Sequence, residues 1–201
     1  GNNTAVGNQS QVAATTGEFN TSLGALSMGV GVVTGDYNVA IGNEAGKALT
    51  SGTLNTLIGG KAGDALTTGS SNTAVGYRAL TTEDGHGRNT ALGHEALATL
   101  NAGADGNNVA VGYTAGTAMT TGVQNTIVGG QAGDALTTGS YNTVFGYEAL
   151  TTEDAHNGNT AIGYQTLRVQ DAGTNAYNTA VGHQAGVAIS TAQQCTLIGA
   201  F

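Results

Sequence analysis

Asn3-Thr4-Ala5-Val6-Gly7 is a pentapeptide that this chain rewrites twelve times in 201 residues. Its Asn returns at Asn20, Asn38, Asn55, Asn72, Asn89, Asn108, Asn125, Asn142, Asn159 and Asn178, and Cys195 holds the twelfth place. The spacings are 17, 18, 17, 17, 17, 19, 17, 17, 17, 19 and 17 residues. A short period that fills a whole chain marks a solenoid, whose coils are too small to bury an apolar face alone and must stack. The expectation is an all-β fold, a parallel β-solenoid of about twelve coils, forming one domain over 1–201. At the usual strand spacing, twelve coils make a rod of about 55–60 Å.

Each coil is then read from its pentapeptide. The fourth position is large and apolar in every copy, from Val6 and Leu23 to Phe145, Val181 and Ile198. It is therefore assigned to the coil interior. Alternation places the third position, mostly Ala, on the opposite face. An outward column of small apolar residues suits packing against neighbouring subunits. The Gly turns the chain. A second short strand is expected next, with Ala three residues on, at Ala45, Ala62, Ala79, Ala96, Ala115, Ala132, Ala149 and Ala185. The Asn column is expected to be structural, each side chain bonding the next and the turn backbone.

A longer period overlies the coils. Residues 38–107 and 108–177 match closely as four-coil blocks, each closed by a 19-residue spacing. Asp64-Ala65-Leu66-Thr67-Thr68-Gly69-Ser70 recurs as Asp134-Ala135-Leu136-Thr137-Thr138-Gly139-Ser140. The longer loops, 98–107 and 168–177, are the expected protrusions, and loops carry recognition more often than stacked strands do.

Composition excludes several classes. Gly is 34 of 201 and Pro is absent, without the period of collagen. Charged residues are only 9%, too few for a solvated disordered chain. The net charge is −8, and Lys47, Lys61, Arg78, Arg88 and Arg168 are scattered. Nucleic acid needs clustered basic residues, so it is not an expected partner. No apolar run is long enough for a membrane helix, so no membrane insertion is expected. Gly1 opens no signal peptide, and both ends fall inside the repeat, which reads as a segment of something longer. The lone Cys195 gives no internal disulfide and reads as a buried, inert thiol.

Gly1-Asn2-Asn3-Thr4-Ala5-Val6-Gly7-Asn8-Gln9-Ser10 resembles the head repeat of YadA-type trimeric adhesins. Asn159-Thr160-Ala161-Ile162-Gly163-Tyr164-Gln165-Thr166-Leu167 resembles versions found in phage tail-fibre proteins. The likeness covers essentially the whole chain. It implies a left-handed β-roll, three rolls around a threefold axis, and a role in attachment. Handedness and the homotrimer are implied by the resemblance alone. The repeat here is longer than that family's usual coil, with the extra residues in the Thr-Thr-Gly and Thr-Thr-Glu-Asp loops.

Candidate chemistry is sparse. Tyr77, His94, Tyr113, Tyr147, Tyr164 and His183 all follow the pentapeptide Gly and form a candidate ligand-facing column. His86 and His156 lie in corresponding loops beside Glu83-Asp84 and Glu153-Asp154. Two carboxylates and a His could hold a cation, but four convergent ligands are lacking, and a solvated loop is the reading taken. No phosphate-binding Gly-rich motif occurs. No catalytic, cofactor or metal residue is assigned, and no enzyme activity is expected. The expected function is an extracellular fibre or adhesin segment, on a virion tail fibre or a bacterial surface, meeting a glycan or protein receptor. Two alternatives are a self-assembling filament subunit and an ice- or crystal-face binder using Thr4, Thr21, Thr56 and their successors.

Overall fold

The computed structural model describes residues 1–13, 15–152, 155–172 and 175–201. Its strands are β1 (Thr4–Val6), β2 (Thr21–Leu23), β3 (Val39–Ile41), β4 (Thr56–Ile58), β5 (Thr73–Val75), β6 (Thr90–Leu92), β7 (Val109–Val111), β8 (Thr126–Val128), β9 (Thr143–Phe145), β10 (Thr160–Ile162), β11 (Thr179–Val181) and β12 (Thr196–Ile198). They form one parallel sheet in strict chain order. Every pentapeptide pairs in register with the next, as in Thr126↔Thr143, Ile127↔Val144 and Val128↔Phe145. The chain is an all-β parallel solenoid.

The faces of the strand are the reverse of the sequence expectation. The third position is the buried one, with Ala40, Leu57, Ala74, Ala91, Ala110, Ile127, Val144, Ala161 and Ala180 fully enclosed. The large fourth position faces outward, and Leu23, Leu92 and Phe145 are about half exposed. Parity explains the reversal. The ladder Asn at the first position is buried, so alternation sends the third position inward with it and the second and fourth outward. A thin coil has room inside for small residues, and the bulky column is left outside.

The second leg also differs from expectation. Among the described residues each coil has one strand, not two. After the Gly the backbone twice enters the left-handed region, as at Gln131 (φ 55°) and Gly133 (φ 53°). Tight bonds such as Ala132 N–H to Gly129 O and Leu136 N–H to Gly133 O alternate with rungs to the next coil such as Gly133 N–H to Ala149 O. The leg therefore stacks by hydrogen bonds without being extended. The Ala column placed there is buried.

The four-coil block has a packing cause. Where the fourth residue after the turn is Leu80, Leu97, Leu150 or Leu167, that Leu fills the coil. In the other coils of the two blocks that position is Gly46, Gly63, Gly116 or Gly133, and the bulk comes three residues later from Leu49, Leu66, Met119 or Leu136. The glycines also admit larger third-position residues. A Cβ on Gly63 would lie 2.8 Å from Leu57 Cδ2, and one on Gly116 would lie 3.2 Å from Ile127 Cδ1. Each coil thus contributes one or two bulky groups to a constant cross-section, which close packing demands. Leu136→Ala is expected to lose about 2–5 kcal/mol, read as a lowered urea midpoint by circular dichroism.

Candidate functional site

The residue after each turn Gly builds a ring column beyond the strand face. Tyr77, His94 and Tyr113 form one stack, with centroids 5.5 and 5.3 Å apart. Tyr147, Tyr164 and His183 form a second, at 5.8 and 5.1 Å. Sheet register sets this rhythm, since parallel strands lie about 4.8 Å apart. The tyrosines of both stacks are exposed. The column is interrupted at Gly60 and Gly130, which hold the same place in their coils. The structure thus brings all six predicted column residues together as two triplets rather than one stripe.

Beside the rings runs a polar ladder that the sequence reading passed over. Glu44 meets Lys47 at 3.5 Å and Lys61 at 3.6 Å, Arg78 meets Glu95 at 3.7 Å, and Arg168 meets Glu148 at 3.6 Å. Gln184 Nε2 donates to Gln165 Oε1, and Gln165 Nε2 donates to Glu148 at 2.7 Å. That donation, with Tyr147 and Arg168 nearby, holds the Glu148 carboxyl below its ordinary range. The same carboxylate raises the Tyr147 hydroxyl above its usual value. Arg88 pairs with Asp105 at 3.2 Å in the loop of residues 98–107, so all five basic side chains face a carboxylate. The signal was in the sequence: Glu44 and Lys61, or Arg78 and Glu95, are opposite charges at one repeat position.

A second exposed column was also missed. It precedes the ladder Asn and includes Phe19, Tyr37, Leu54, Tyr141 and Tyr177. Phe19 and Tyr37 stack at 4.9 Å, nearly coplanar at 7°.

The His loops are less alike than their sequences. Glu83 is fully buried; its Oε1 meets His86 N–H at 3.1 Å and Nδ1 at 3.2 Å, and its Oε2 accepts Ala102 N–H at 3.3 Å. Glu83, Asp84 and His86 each place a ligand atom within 4.8 Å of the others. The carboxylate is occupied in bonding its own loop and the next coil, and among the described residues no fourth ligand joins. In the other block Glu153 and Asp154 lie outside the described residues. His156 is buried there, and burial lowers its pKa. Asp64 accepts the Thr81 hydroxyl of the next coil. Burial raises the carboxyl of its counterpart Asp134.

Cys195 corrects another expectation. Its thiol is partly exposed and donates to Gln193 O at 3.4 Å. Among the described residues no helix is long and apolar enough to cross a membrane. Comparison with known protein families, curated proteins and solved structures finds no match.

Proposed function

We propose that the chain is a segment of a trimeric extracellular attachment fibre. The observation that carries this reading is the outward apolar column on the strand face: Val6, Leu23, Leu92, Phe145, Ile162 and Ile198 are all substantially exposed. Contiguous apolar surface of this kind marks an interaction face. Copies of the same chain in register would cover it along the full rod. The resemblance to trimeric adhesin and tail-fibre repeats supports three copies. A fibre so built would display its ring columns many times over, and weak sites would act through avidity at a host surface.

Light scattering on the purified chain tests the reading. The expected mass is three times 19.8 kDa. Val111→Asp with Val128→Asp puts two charges on the outward column without touching the buried third position, and is expected to give folded monomers. A wild-type mass of one chain would sink the trimer.

The Thr column favours a second reading. Thr126 and Thr143 are exposed, and Thr56, Thr73 and Thr90 are half-buried, all on the outward strand face. A flat Thr array on a monomer would suit an ice or crystal face. Thermal hysteresis from a monomeric solution would select that reading, since a trimer covers the same face.

A further inference from the structure

A stack of rings conceals its own faces. Within each triplet, the centroid spacings of 5.1 to 5.8 Å leave only ring edges to solvent. Ring faces open only where the stack ends. At Gly130 two ends meet: Tyr113 lies one coil before it and Tyr147 one coil after. Gly130 is half-exposed, so solvent reaches the gap. A Cβ there would lie 3.5 Å from Tyr147 Cδ2, so that ring borders the vacant place. Two coil steps separate the flanking rings, about 10 Å. A group midway sits about 5 Å from each centroid, within the ~6 Å reach of a cation–π contact.

The geometry points to a binding slot at Gly130 for a small quaternary ammonium cation of the choline type, held between the faces of Tyr113 and Tyr147. Both walls are tyrosine, whereas the histidines lie in the middle of one stack and at the far end of the other. The chain carries a net charge of −8, and Glu148 adjoins Tyr147. The occupant has to be a cation without N–H groups. Gln131 Oε1 already accepts the Tyr147 hydroxyl at 3.1 Å, and the Gly130 carbonyl already accepts Glu148 N–H at 3.1 Å. A primary ammonium or a guanidinium would have to give up hydration water for acceptors already engaged, whereas facing aromatic rings are the usual receivers of a methylated ammonium. A quaternary ammonium has no N–H donors to satisfy. Gly60 offers only half of such a slot, with Tyr77 on one side and Asn43 on the other. The slot is a property of one chain and does not rest on the fibre reading.

Titration with tetramethylammonium and choline, followed by tyrosine ring shifts in NMR, tests the slot. One saturable site per chain is expected. Ammonium and guanidinium at equal ionic strength should bind at least about tenfold more weakly. Choline should exceed phosphocholine, whose phosphate meets Glu148; the reverse order would overturn the assignment to a free cation. Gly130→Tyr supplies the missing ring at a position with space for a Cβ, and is expected to abolish the site. Asn43→Tyr completes the slot at Gly60 and should raise the stoichiometry to two. Saturation unchanged in Gly130→Tyr, no saturable binding in the parent, or equal binding of guanidinium would each overturn the proposal. Light scattering on the same samples reports the trimer independently, so the two readings fail separately.

Discussion

Gly112→Ala is expected to cost at least about 4 kcal/mol, among the largest effects of any single methyl group. Two causes add at this residue. Its φ of +140° lies where side-chain-bearing residues rarely go. The added Cβ would also stand 2.4 Å from Gly129 O and 2.6 Å from Gly129 C, one coil on. Neither atom can move without breaking the rung from Gly129 N–H to Val111 O at 2.8 Å. The turn glycines stack backbone on backbone, so a methyl group on one coil wedges it from its neighbour. Two controls separate the causes. Gly199→Ala shares a φ of +135° but meets nothing within 4 Å, and should lose only about 1–2 kcal/mol. Gly130→Ala meets only an ordinary van der Waals contact, with Tyr147 Cδ2 at 3.5 Å, at a φ outside the left-handed region, and should change stability by no more than about 0.5 kcal/mol. Urea unfolding should rank the losses Gly112, Gly199, Gly130. Equal losses at Gly112 and Gly199 would show that backbone strain alone governs the turn.

The parallel stacking and its register were legible because they follow from the period. Which strand face is buried was not read correctly, although the information was present. Size suggested that Val6, Ile41 and Phe145 were core, yet the Asn parity decides the matter. The second leg was misread for a different reason. Residues such as Glu148 (φ 49°) and Gln131 (φ 55°) adopt left-handed backbone with no glycine to announce it. That conformation costs about 1–2 kcal/mol per residue in isolation, and inter-coil rungs such as Glu148 N–H to Gly130 O offset it. Local propensity cannot reveal a conformation that stacking imposes. The ring column was visible as a repeat position. The consequence of its gap was not, because concealed ring faces emerge only once the stacking geometry is known.

Asn125→Ala is expected to lose about 3 kcal/mol, because one side chain closes bonds on two coils. Its Nδ2 donates to Gly139 O at 2.9 Å, and its Oδ1 accepts Asn142 N–H at 2.9 Å and Asn142 Nδ2 at 3.1 Å. All of these groups are buried. Truncation leaves a carbonyl and an N–H orphaned inside the rod, each costing about 1–3 kcal/mol. The loss should be local. Hydrogen exchange at the Asn142 amide should quicken far more than at amides several coils away, because coils contact only their neighbours. Asn3→Ala makes the comparison, since its bonds to Gly17 O and Asn20 N–H are only partly buried and water can replace them. Its expected loss is about 1 kcal/mol or less. The same logic accounts for Cys195. Each ladder Asn serves the coil that follows it, whereas receiving the preceding Asn needs only a backbone N–H. Cys195 N–H still donates to Asn178 Oδ1 at 2.8 Å, so the twelfth coil keeps its rung although the side chain has changed. An Asn125→Ala variant as stable as the parent would reduce the Asn column to a filler of space.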